Sequence, residues 1–298
     1  MEAAACLTAA VAATLLYMAW GFAGGAEAPG PAEATGVSDG ASTDSTLSQA
    51  DDKVIVVAEF AVDEAGKSPP PGWKELIFSP KKVPRRSKYD VVKLNGEYVL
   101  RASTDKGASL LYRDVDIDPY EYPYIVWRWR VDQLFTKADE ITKSGDDYPA
   151  RLYIGFRYDP SRAGPLARAE FGLAKSGSEN GRFPPLWVLN YVWANRLNRN
   201  TWIANPWEQR SKVIAARSGG DGVGAWRTQV RNYLGDFKAI TGEEPTAVSM
   251  IGVMIDGDNT GSKGTSYFGR IEVRASPPAG VDPKDLLPPA RYEASGGN

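Results

Sequence analysis

The sequence predicts an all-β fold, an antiparallel β-sandwich or jelly roll with one short helix. Three observations lead there. Short apolar runs rich in β-branched and aromatic residues recur through the middle of the chain, turn residues punctuate them, and helical periodicity is scarce. Many strands without alternating helices argue against an α/β sheet.

The series opens with the apolar run 54–60. Residues 89–94 and 98–102 flank Asn95-Gly96, a pair that tolerates the positive φ of a tight hairpin turn. Further strands are expected at 109–112, Tyr124–Val131, 151–158, Trp187–Ala194, 212–217, 247–255 and 265–274. The helix is expected at 234–240, closed by Thr241-Gly242. Together these define one folded domain, 53–275.

The flanks have a different composition. Residues 3–23 carry no charge, and Ala26-Glu27-Ala28 fits a small-x-small cleavage pattern, so 1–28 reads as a signal peptide or a membrane anchor. The n-region has Glu2 and no Lys or Arg, which leaves cleavage and retention both open. Either way the expectation is export, to the periplasm or to a tether facing it. Residues 29–52 are small and polar and read as a flexible linker. Residues 276–298, with Pro277-Pro278 and Pro288-Pro289, read as a Pro-rich tail.

Composition excludes several chemistries. The 298 residues contain no histidine and a single cysteine, Cys6, which lies in the apolar leader. There is thus no imidazole base, no Ser-His-Asp or Cys-His machinery, and no zinc site of thiolates and imidazoles. A net charge of −2 gives no reason to expect nucleic acid as a partner. No oligomer is expected either.

Alternation then assigns faces. Along 124–131, Ile125, Trp127, Trp129 and Val131 share one side, with Arg128 and Arg130 on the other. Along 151–158, Leu152, Ile154 and Phe156 alternate with Arg151, Tyr153 and Arg157. The apolar sides are the expected core. If the two strands pair, Arg128, Arg130, Arg151 and Tyr153 form a cationic, aromatic face, read either as solvated ion pairs or as a ligand surface. Tryptophans crowd between Trp187 and Trp226, interleaved with asparagines. Trp187 and Trp193 fall on one strand face and read as core. Trp202 and Trp207 are expected in a loop with Asn205-Pro206, where a ring must plug the core or meet a ligand.

Two acidic clusters carry the remaining candidates. Asp256-Gly257-Asp258-Asn259-Thr260-Gly261 places carboxylates, an amide and a hydroxyl on a short loop. It reads as a capped β-turn or as a loop around a hard cation such as Ca²⁺, with Asp256, Asp258, Asn259 and Thr260 as ligands. Arginine from the neighbourhood of Arg151 is the alternative counter-charge. Asp146-Asp147 directly precedes the 151–158 strand. If the protein is an enzyme, Asp146, Asp147 and Asp236 are its acid–base candidates, with Arg151 stabilising developing charge.

Several of these residues, in order, resemble a bacterial family known as domain of unknown function 3047. They are Trp127-Arg128-Trp129, Gly145-Asp146-Asp147-Tyr148-Pro149-Ala150-Arg151, Tyr191-Val192-Trp193-Ala194, Arg231-Asn232, Asp236 and the 256–261 loop. The resemblance implies an exported β-sandwich of unassigned activity. The Gly-, Ala- and Ser-rich stretch 159–183 looks like an insert relative to that family. More broadly the arrangement is similar to galactose-binding-like and carbohydrate-binding-module jelly rolls, which implies a glycan ligand and a structural Ca²⁺. Three functions therefore compete: a non-catalytic glycan-binding domain, a carboxylate-dependent glycan hydrolase or lyase, and an envelope scaffolding protein.

Overall fold

The computed structural model describes residues 53–293 apart from 79–80, 163, 166–167, 170 and 173–183. The leader, the linker and most of the 159–183 insert lie outside the described residues. Two sheets lie face to face. The first runs β11 (Arg227–Asn232), β6 (Tyr124–Val131), β13 (Lys263–Arg274), β4 (Glu97–Asp105), β3 (Lys88–Leu94), with β1 (Val54–Ala58) also on β13. The second runs β14 (Ala290–Arg291), β9 (Thr201–Ala204), β10 (Ser211–Ser218), β8 (Trp187–Ala194), β7 (Tyr148–Phe156), β12 (Val248–Asp256), β5 (Ala108–Ile117), β2 (Lys74–Ile77). The expected all-β sandwich is present. Pairing is antiparallel except for β8 with β10 and β9 with β14, which run parallel.

The core is the meeting of the two apolar strand faces. Trp127 and Trp129 of the first sheet are fully buried against Tyr191 and Trp193 of the second, at ring distances of 5.4 and 5.9 Å. Leu152, Ile154, Phe156, Ile251 and Val253 fill the same layer. Each large ring removes roughly 150–250 Å² from water, so this quartet is a major part of the drive to close the sandwich.

Helix α1 (Tyr233–Thr241) begins where β11 ends. The Asn232 side chain accepts from Gly235 N, and Gly242 at φ 70° ends the helix in the left-handed region. Phe237 of α1 packs 4.4 Å from the Phe156 ring, plugging one end of the layer.

Four features differ from the sequence expectation. Strands β6 and β7 do not pair: each belongs to a different sheet, so Arg128 and Arg130 lie on the opposite outer face from Arg151 and Tyr153. Alternation assigns a side chain to one side of its strand but carries no information about the neighbouring strand. Trp202 lies in β9 rather than in a loop, packed against the inter-sheet core. Strands β2 and β9 are only four residues long, and β11 is polar, so none carries a long apolar run to announce it. Residues 276–293 are docked, with a 3-10 turn at Pro283–Leu286 and β14 added to the edge of β9.

Candidate functional site

The outer face of the second sheet carries a cleft of about 210 Å³. Its floor follows from the same alternation that builds the core. With Ile251, Val253 and Ile255 turned inward, Met254 and Asp256 of β12 point outward beside Arg151 and Tyr153 of β7. Phe78 and Val83, from the segment between β2 and β3, form one wall. The β9–β10 connection supplies the other with Asn205, Trp207 and Glu208.

One end of the cleft is charged because of strand register. Asp256, the last residue of β12, lies opposite Tyr148, the first of β7, which brings 146–148 beside the 256–260 loop. That loop needs its glycine: a Cβ on Gly257 would stand 2.4 Å from the Ser262 carbonyl oxygen. Arg151 Nε and Nη2 donate to the two oxygens of Asp256 at 2.9 and 2.5 Å. Nη2 also donates to the Asp146 carbonyl at 2.7 Å, and the guanidinium lies 4.0 Å from the Tyr148 ring centre. Burial opposes both charges of the pair. Even so, the Asp256 carboxylate holds the Arg151 guanidinium protonated well above its usual range.

Asp147 is sealed from solvent and answered by backbone and hydroxyl donors. Asn259 N donates to it at 3.1 Å, and Thr260 N and Oγ1 donate at 2.6 and 2.5 Å. The Asn259 side chain donates in turn to the Lys143 carbonyl at 3.0 Å. Asn259 and Thr260, read from sequence as cation ligands, thus serve as donors to a carboxylate. Asp258 is half-buried at the cleft, and burial together with the nearby Asp147 charge pushes its carboxyl up to about 6. Among the described residues, Asp147, Asp256 and Asp258 place one oxygen each within 4.8 Å of one another and could share a hard cation. In the structure Arg151 answers the Asp256 charge, and N–H and O–H donors answer that of Asp147.

Asp146 links this end to the aromatic wall. Its Oδ2 accepts from Asn205 Nδ2 at 3.3 Å, while Asn205 Oδ1 accepts from Trp207 N and Glu208 N at 2.9 and 3.1 Å. One amide therefore sets the position of the Trp207 loop, an Asx turn of the kind Asn-Pro-Trp favours. Asp146 is 5% exposed, and burial raises its carboxyl above the usual range, with Arg151 pulling the other way. Its Oδ1 makes no hydrogen bond and stands 3.5 Å from Arg151 Nη2. Trp207 is 45% exposed, the most open large ring bordering the cleft.

The remaining sequence candidates lie elsewhere. Asp236 sits at the start of α1, on the core side, held by Arg231 Nε and Nη2 at 2.9 and 2.6 Å and by the Tyr191 hydroxyl at 2.6 Å. It does not line the cleft, so it leaves the acid–base set. Arg128 lies 5.0 Å from the Trp226 ring and bonds Glu97, and Arg130 lies 5.6 Å from the Tyr267 ring and bonds Asp132, both on the first sheet. Trp202 has Lys212 and Arg291 each 5.6 Å from its ring. Sequence reading passed over Asn205, Glu208, Met254 and Phe78 as site residues. The Asn-Pro-Trp turn and the outward alternation of β12 were signals for two of them.

A family model described as protein of unknown function (DUF3047) matches residues 71–272. No curated protein matches the chain in sequence. Among solved structures, the chain is similar to a family 11 carbohydrate-binding module of a cellulosomal cellulase of Clostridium thermocellum. The identity is 9% and the TM-score 0.33, covering 81% of this chain and 96% of that one. It is also similar to the K1 cleaved adhesin domain of Lys-gingipain from Porphyromonas gingivalis at 10% identity and TM-score 0.32, covering 76% and 99%. A family 11 xylanase from Neocallimastix patriciarum stands at 7% identity and TM-score 0.31, covering 75% and 96%. Likenesses this remote supply neither a ligand nor a site residue.

Proposed function

The chain belongs to the DUF3047 family, whose description assigns no activity, and from its own cleft we propose that it is a non-catalytic binding domain for a glycan. The observation that carries this reading is the meeting of one open indole with polar groups in a single small cleft. Trp207 offers a ring face on which a sugar can stack. Asn205, Asn259, Asp146 and Asp258 offer the donors and acceptors that sugar hydroxyls need. At about 210 Å³ the cleft is smaller than the ~300–1,000 Å³ of drug-sized pockets, a size suited to one sugar ring of a longer chain. Titration calorimetry against a panel of oligosaccharides tests the reading. Binding that Trp207→Ala abolishes without lowering Tm supports it; a panel with no binder removes it.

Asp258 favours a second reading, a carboxylate-dependent glycan hydrolase or lyase. A carboxyl held at about 6 stays partly protonated near neutral pH, as a general acid must. Release of reducing ends by the native protein and its loss in Asp258→Asn would establish that reading. The proposal also places the domain outside the cytoplasm, supported by the uncharged 3–23 segment. Mass spectrometry of fractionated cells should find it in the envelope, with either a mature terminus near Pro29 or an intact anchor.

A further inference from the structure

We propose that the cleft selects a glycan carrying a protonated amine, an amino sugar with its nitrogen unacylated, over neutral and uronic-acid sugars. This rests on the reading of the cleft as a glycan site and names the sugar class.

Charge is the first observation. Four acids line the cleft (Asp146, Asp256, Asp258 and Glu208) against Lys82 and Arg151, and with Lys143 on the Trp207 wall the acids still outnumber the cations by one. The guanidinium offers little to a ligand anion, because Nε and Nη2 are already given to Asp256 and to the Asp146 carbonyl. A uronate entering here would meet carboxylates and find only the exposed ammoniums of Lys82 and Lys143. An ammonium would meet the half-buried Asp258 carboxylate directly.

The second observation is an acceptor that is only loosely answered, its nearest cation being Arg151 Nη2 at 3.5 Å. Asp146 is 5% exposed and lines the cleft, yet its Oδ1 makes no hydrogen bond. With one long ion pair the carboxylate keeps accepting capacity, and a cationic donor brought into the cleft adds to it. A neutral hydroxyl does so less well, since hydrogen bonds with one charged donor and one charged acceptor are the strongest.

The third observation comes from the aromatic wall. Lys143 already places its Nζ 5.0 Å from the centre of the Trp207 ring. The Trp207 indole therefore already accepts an ammonium from its own chain. An amino sugar brings the same chemistry, a ring face for the indole and a cation for the carboxylates beside it.

The experiment is titration calorimetry of the full chain with four oligosaccharides of matched length: a glucosamine oligomer, its N-acetylated form, a neutral gluco-oligomer and a galacturonate. The glucosamine oligomer should bind about tenfold tighter than the others, the scale of one charge-assisted hydrogen bond. Asp258→Asn, checked for folding by near-ultraviolet circular dichroism, should erase that preference. Lys143→Gln should tighten glucosamine binding by removing the resident ammonium. Equal or better binding of the neutral or acidic oligomers overturns the amine proposal and leaves the glycan reading standing. Binding of none of the four overturns both. If CaCl₂ alone raises Tm and Asp258→Asn abolishes the rise, the carboxylates hold a metal and the amine proposal falls.

Discussion

Arg151 and Asp256 meet through two hydrogen bonds of 2.9 and 2.5 Å although 105 residues separate them in the chain. The pair sits where β7 begins and β12 ends, sealed beneath the cleft. Its geometry is the forked, charge-assisted kind, and its burial makes either partner costly to leave alone.

The first prediction concerns that pair. Arg151→Ala and Asp256→Ala should each destabilise by about 3–5 kcal/mol, because each strands a buried charge. The double variant should fall well short of the sum. Urea denaturation of all four proteins measures the coupling; strict additivity would show that the two residues act independently.

The second concerns the core. Trp129 is fully buried and lies 5.9 Å from the Trp193 ring. Trp129→Ala should cost about 3–5 kcal/mol by leaving a cavity between the sheets. A midpoint close to that of the native protein would mean the ring is not part of the packing that closes the sandwich.

The third follows from Asp258, whose carboxyl is pushed up to about 6 from an ordinary value of 3.8. Between those values the folded protein binds more protons than the unfolded chain, so this group lowers stability as pH rises through that window. Asp258→Asn should raise Tm relative to the native protein at pH 7–8, and the gain should shrink toward pH 4. A gain that is largest at low pH would reverse the sign and refute the assignment.

The fourth concerns Asn205. Its side chain accepts from Trp207 N and Glu208 N and donates to Asp146. Asn205→Ala should lower Tm modestly, by the loss of hydrogen bonds worth about 1 kcal/mol each. It should weaken ligand binding as much as Trp207→Ala does, because the ring loses its position. Unchanged affinity would show that the loop holds Trp207 without the amide.

Much of the fold was legible because its strongest strands repeat with period two. Tyr124–Val131 and Trp187–Ala194 match their sequence-read bounds, since large apolar residues at every second position mark a strand with one face in the core. Thr201–Ala204 escaped because four residues are too few to display a period, and Arg227–Asn232 because a polar strand at a sheet edge resembles a loop. At the site, sequence singled out Arg151, Asp146, Asp256 and Trp207, but it joined Arg151 to Arg128 and Arg130 across a strand pair that does not exist. The same reading named Arg151 as one possible counter-charge for the 256–261 loop, and the register of β7 on β12 is what brings the two together.

The docked segment 276–293 bears on when the sandwich can be completed. Arg231, on the outer strand of one sheet, donates to the carbonyls of Asp285 and Leu287, while Ala290 and Arg291 pair with β9 at the border of the other. The segment is therefore a clasp across the seam, and it leaves the ribosome after every strand it fastens. Until it arrives, β9 is paired only on its β10 side, and its other backbone edge is open to a competing strand.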